Sequence, residues 1–79
     1  MKIRVNSFNE LKKVVADLPD GGALELAADA TVSTALDRFA LPEDIRADLV
    51  VFVNGRPAGL QTRLREGDHL VFFPPMAGG

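Results

Sequence analysis

The sequence predicts an α+β domain over residues 1–73, a mixed sheet with one main helix packed across one face, followed by a short extended arm over 74–79. Three observations carry that expectation. Apolar residues alternate at Ile3 and Val5 and fill the runs 49–53 and 70–73, as strands do. Val32, Ala35, Leu36 and Phe39 recur at i, i+3, i+4 and i+7, which is one face of a helix. An order of strand, short helix, strand, helix, then two or three strands buries these stripes most economically when the helix lies across the sheet.

In chain order, Ile3 and Val5 alternate with Lys2, Arg4 and Asn6, a half-buried first strand. Leu11, Val14, Val15 and Leu18 then adopt helical spacing, with Ser7 or Asn9 as the expected cap. Pro19-Asp20-Gly21-Gly22 is turn chemistry and ends that helix. Leu24 and Leu26 share a face of a short second strand. The main helix follows, capped by Asp29 or Thr31 and broken at Leu41-Pro42. Pro42 at a first helical position, with Glu43 and Asp44 behind it, predicts one extra turn through Ile45. Residues 49–53 form a strand that turns at Asn54-Gly55, a strong hairpin signal. Residues 56–59 return as an edge strand marked by Pro57, and 62–64 add a fragment. Arg65-Glu66-Gly67-Asp68 is a tight turn into the last strand, 69–73. The first strand, the last, and 49–53 are the expected sheet centre.

Composition excludes several functions. With 79 residues there is room for one domain near the lower size limit for unaided folding, so 47% hydrophobic residues must supply the core. Cysteine is absent, which removes disulfides and thiolate metal sites and fits a reducing, cytosolic setting. A net charge of −2 with both signs scattered argues against nucleic acid and against a polybasic membrane anchor. No apolar run is long enough to cross a bilayer, and the amino end lacks the pattern of a signal peptide.

No catalytic set is legible within 1–73. The single histidine, His69, is expected outward and solvated, and no metal ligand set accompanies it. Glu43, Asp44 and Asp48 are near neighbours, but helix N-terminal charge preference accounts for the first two. Ser7, Ser33 and the threonines lack a histidine and acid to activate them. Gly21-Gly22 follows no strand and precedes no lysine-serine pair, so it is a turn and not a phosphate loop.

The chemistry concentrates in Phe72-Phe73-Pro74-Pro75-Met76-Ala77-Gly78-Gly79. Pro74 ends sheet pairing, Pro75 keeps the backbone extended, and six residues reach up to roughly 20 Å. Gly78 and Gly79 carry no Cβ, so an enzyme or nucleotide can approach their backbone closely. The expectation is a stiff arm of Pro74, Pro75, Met76, Ala77 and Gly78, tipped by the unhindered carboxylate of Gly79. A second expectation concerns the sheet. With Leu70, Phe72, Val51 and Val53 facing the helix, strand alternation sends Val71, Phe73, Val50 and Phe52 to the other face. So small a chain has little to cover that face, and an exposed apolar patch marks a partner surface.

Val53-Asn54-Gly55, Glu66-Gly67-Asp68 and the Phe-Phe-Pro-Pro-x-x-Gly-Gly ending together resemble the β-grasp, ubiquitin-like sulfur-carrier family, most closely the small subunits of molybdopterin synthase. The thiamine-thiazole carriers share the Gly-Gly but are usually shorter and lack the Pro-Pro. Asn9 to Asp17 departs from the family in being more helical and lysine-rich. The resemblance implies a carrier with no stably bound cofactor and no catalysis of its own. An E1-like adenylating enzyme would use ATP to activate the Gly79 carboxylate, and a persulfide donor would supply sulfur to make a thiocarboxylate. The molybdopterin synthase large subunit would then receive the arm, with Phe73, Val71, Phe52 and Val50 docking the partners. Alternatives left open are a thiazole or other sulfur pathway, a protein modifier that joins target lysines, and an inert interaction domain.

Overall fold

The computed structural model describes residues 1–74, with the side chains of Asn9 and Glu10 excepted. Five strands form one mixed sheet: β1 (Lys2–Ser7), β2 (Ala23–Glu25), β3 (Val50–Val53), β4 (Arg56–Pro57) and β5 (His69–Phe73), in the order β2-β1-β5-β3-β4. The pairing of β1 with β5 is parallel and the other three are antiparallel. This is the β-grasp, ubiquitin-like arrangement, and β1, β5 and β3 occupy its interior as their apolar content requires.

The helical layer holds the expected pieces in chain order: a 3-10 segment at Asn9–Val14 with a further 3-10 turn at Pro19–Gly21, the helix α1 (Val32–Leu36), which stops short of Phe39, and α2 (Glu43–Ala47). Thr31 caps α1: its Oγ1 accepts the Thr34 N–H at 3.3 Å, and Thr34 Oγ1 accepts the Thr31 N–H at 3.2 Å. The Val32 and Ser33 N–H groups, which no helical carbonyl can reach, donate to Thr62 and Leu60 C=O. The expected 62–64 fragment is therefore a brace for α1, joined by an isolated bridge from Thr31 to Arg63. Pro42 sits one place outside α2, as its N-cap. Arg46 ties the two helices, meeting Asp37 at 2.6 Å and Ser33 Oγ at 3.1 Å.

The Asn9–Val14 segment winds at three residues per turn, so the 3.6-residue stripe does not align. Leu11 is buried, while Val14, Val15 and Leu18 are half-buried. Ser7 does not act as the cap: Phe8 holds the N-cap position without a side-chain bond, and Ser7 is a buried strand residue whose hydroxyl donates to Phe72 C=O at 2.6 Å. The side chain of Asn9, the other expected cap, lies outside the described residues. β4 also stops at Pro57, short of the expected 59, although the Ala58 N–H still donates to Val51 C=O at 2.9 Å.

The core lies between the sheet and the helices: Ile3, Val5, Leu24, Val32, Ala35, Leu36, Leu70 and Phe72 are all at most 5% exposed. Gly22 holds β1 in register with the preceding turn. Its φ is +127°, its C=O accepts the Val5 N–H at 2.7 Å, and an added Cβ would collide with the Val5 carbonyl oxygen. Gly22→Ala is expected to lose about 1–3 kcal/mol from strain, with the collision adding to it. Gly67→Ala, at φ +84° with open space around it, should lose only about 1–2 kcal/mol. Urea denaturation of the two variants compares them directly.

Candidate functional site

The two hairpin-like turns at one end of the sheet are built from the short motifs that mark the sequence. Asn54 and Gly55 both take positive φ, at 53° and 82°, as a tight two-residue hairpin demands. Asn54 Nδ2 donates to Asp68 Oδ1 at 2.9 Å, its Oδ1 accepts the His69 N–H at 2.9 Å, and Asp68 Oδ2 accepts the Arg65 N–H at 2.8 Å. Val53-Asn54-Gly55 and Glu66-Gly67-Asp68 are thus one hydrogen-bonded brace that fixes β5 against β3.

That register decides the outer face. Val50 stands opposite Phe73 and Phe52 opposite Val71, so the four residues share the face turned away from the helices. All four are half-buried. The Phe52 and Phe73 rings stack with centroids 6.0 Å apart and 12° between planes. Phe8 joins them, its ring 6.3 Å from Phe73, and it is 52% exposed. Phe8, given no role from the sequence, continues the outward parity of Lys2, Arg4 and Asn6 by one more step.

The other half of this face is polar. Parallel pairing sets Arg4 beside His69 and Asn6 beside Val71. His69 Nε2 lies 2.6 Å from Asn6 Oδ1, so the histidine is exposed but tied to β1. The face therefore divides into an apolar half on β5 and β3 and a polar half on β1 and β2. β5 ends at the apolar half: Phe73 is its last residue, and Pro74 follows, half-buried. Pro75, Met76, Ala77, Gly78 and Gly79 lie outside the described residues.

Nothing else in the described residues gathers chemistry. Among the described residues, no group of three or more histidines, cysteines or carboxylates is placed to hold a metal ion, and no helix is long and apolar enough to cross a membrane. Glu43, Asp44 and Asp48 are all exposed.

A family model, the ThiS family, matches residues 5–79, and so covers the apolar half-face, the brace and the glycine ending together. The chain belongs to the ThiS family. ThiS-type chains are ubiquitin-like sulfur carriers, so family and fold agree. No curated protein matches the sequence. Among solved structures, this ThiS-family chain is similar to SAMP1 from Haloferax volcanii, at 27% identity over 100% of both chains with a TM-score of 0.73. It also shares its fold with Urm1 from Trypanosoma brucei, at 18% identity over 99% of this chain and 95% of that one, TM-score 0.63. A third likeness is a complex of subunits 1 and 2 of molybdopterin-converting factor from Helicobacter pylori, at 18% identity over 100% of both chains, TM-score 0.60.

Proposed function

We propose that this chain is the sulfur-carrying small subunit of a molybdopterin synthase, with the Gly79 carboxylate as the reacting group. One observation carries the reading. The stacked Phe52–Phe73 patch lies where β5 ends, so a partner seated on the patch meets the arm as it leaves the sheet. The Phe72-Phe73-Pro74-Pro75 sequence and the fold shared with a two-subunit molybdopterin-converting factor support the pathway.

A carboxylate is a poor electrophile, so it must be activated first. A carboxylate oxygen of Gly79 attacks the α-phosphorus of ATP in an E1-like enzyme, and pyrophosphate leaves. The terminal sulfur of a protein persulfide attacks the resulting acyl adenylate, and AMP leaves. A thiol then cleaves the acyl disulfide, forming a disulfide with the donor and releasing the thiocarboxylate. With no cysteine of its own, this chain takes every sulfur atom of that sequence from its partners. In the large subunit the thiocarboxylate sulfur bonds to a carbon of the pterin precursor and displaces an oxygen leaving group. Water then cleaves the resulting thioester, leaving the sulfur on the pterin and regenerating the Gly79 carboxylate. The protein supplies position: glycines that fit a narrow channel, prolines that stiffen the arm, and a patch that docks each partner in turn.

A second reading has its own support. The 27% identity with SAMP1, described as a small archaeal modifier protein, fits the same acyl adenylate meeting a lysine amine. Intact mass after incubation with ATP, a persulfide donor and the host's activating enzyme separates the two. A species heavier by the difference between sulfur and oxygen, reactive toward thiol reagents, is the expected result. Lysine adducts without that species would favour the modifier, and an unchanged mass would defeat both. Docking has a separate check. Phe52→Lys is expected to cost about 2 kcal/mol or more in binding to the large subunit, roughly 30-fold in Kd by calorimetry. Unaltered binding would remove the patch from the interface.

A further inference from the structure

The margin of the sheet farthest from the patch carries a different feature. β2 is an edge strand whose antiparallel ladder to β1 alternates bonded and open positions. Leu26 N–H donates to Met1 C=O at 2.8 Å, and Val5 N–H donates to Gly22 C=O at 2.7 Å, which fixes the phase of that alternation. The backbone groups of Ala23 and Glu25 consequently face out of the sheet. Arg38 Nη1 donates to Glu25 C=O at 3.0 Å. Among the described residues, the Ala23 N–H, the Ala23 C=O and the Glu25 N–H have no protein partner.

An open groove of about 340 Å³ runs along this edge, with Leu18, Pro19 and Leu24 giving it apolar lining. Arg38 and Lys2 share its rim with the carboxylates of Asp20 and Glu25, of which Glu25 lies 3.8 Å from the Met1 ammonium. Arg38 is exposed, spends one of its five N–H donors on Glu25, and forms no ion pair among the described residues. The opposite margin cannot serve in the same way. β4 is two residues long and one is Pro57, which has no N–H to offer.

We propose that the β2 edge is a peptide-docking site that takes an extended, carboxylate-bearing segment of a partner protein as an added strand. The open N–H and C=O groups have the spacing of a ladder, which only another backbone matches in full. Alternate side chains of the guest enter the apolar lining, and its carboxylate meets the Arg38 guanidinium. A second folded copy fits poorly, because a three-residue edge buries far less than the roughly 1,200 Å² at which stable protein interfaces begin. The site lies across β1 from Phe73 and across β1 and β5 from Phe52, so a guest there leaves the patch and the arm free. It holds or fails independently of the carrier reading.

The test is selection of short random peptides on the intact chain, followed by titration of the enriched peptides into isotope-labelled protein. Enriched sequences are expected to carry an acidic residue, to shift the Ala23 and Glu25 amides, and to protect both from hydrogen exchange. Arg38→Ala should weaken them about tenfold or more. Ala23→Pro, which deletes an N–H that β1 does not use, should abolish binding. Recovery of no peptide, shifts confined to the Phe52 and Phe73 strands, or indifference to Arg38→Ala would overturn the proposal. So would protection of Ala23 and Glu25 that rises with protein concentration alone, the mark of edge pairing between copies.

Discussion

Phe72→Ala is expected to destabilise the domain by about 3–5 kcal/mol, the usual cost of emptying a buried phenylalanine site. The ring is fully buried, lies 5.7 Å from the Phe39 ring, and sits on the strand that joins the two halves of the sheet. Its backbone partner across β3 is the buried Val51, and its carbonyl takes the Ser7 hydroxyl. Little can collapse into the space without moving a strand, so the cost should fall at the upper end of the range. Native domains are stable by only about 5–15 kcal/mol, and one this small belongs near the bottom. Urea denaturation followed by circular dichroism should find a midpoint near zero denaturant. A loss below 1 kcal/mol would mean that Phe72 is not the centre of the core.

Removal of Gly79 is expected to have the opposite character, with unchanged stability and no activation. Unfolding free energy should match the parent within experimental error, because the core formed by the described residues is built entirely before Pro74 and Gly79 has no side chain to add to it. Pyrophosphate release with the cognate activating enzyme should fall to background, and so should thiocarboxylate formation. The reason is geometric: effective catalysis requires the reacting atoms within about 3–3.5 Å of attack geometry, and one missing residue moves the carboxylate farther than that. One alanine added after Gly79 should do the same by overshooting. Normal adenylation of either variant would show that the tip is not the reacting group.

Much of this was legible because strand alternation is a strict rule. Period two at Val50, Phe52, Val71 and Phe73 assigned the outer face, and the structure places all four there. The same parity includes Phe8, but the apolar spacing changes at Asn9 to that of a helix. Ser7 was misread for a related reason. Its hydroxyl suits a cap, yet its bond goes to Phe72, 65 residues away, a partner that no local pattern reveals. Helix α1 ends at Leu36 although its apolar spacing runs on to Phe39, and its first turn is held by the loop at Leu60 and Thr62, a tertiary contact that no local pattern reveals. The open edge of β2 depends on strand order and ladder phase together, so the sequence carries no sign of it.

The parallel pairing of β1 with β5 also governs how the molecule is made. These strands stand at opposite ends of the described chain, yet they are neighbours at the middle of the sheet. A nascent polypeptide that has not reached Phe73 lacks its central strand, and β1 and β3 are left as bare edges with nothing between them. Such topology, rich in contacts distant along the chain, folds late and leaves apolar surface open in the interval. Truncation before β5 should therefore yield unfolded material that proteolysis clears, and no compact molecule that has lost its arm together with its last strand. Any copy able to engage a partner through the Phe52–Phe73 patch has already been synthesised as far as the arm.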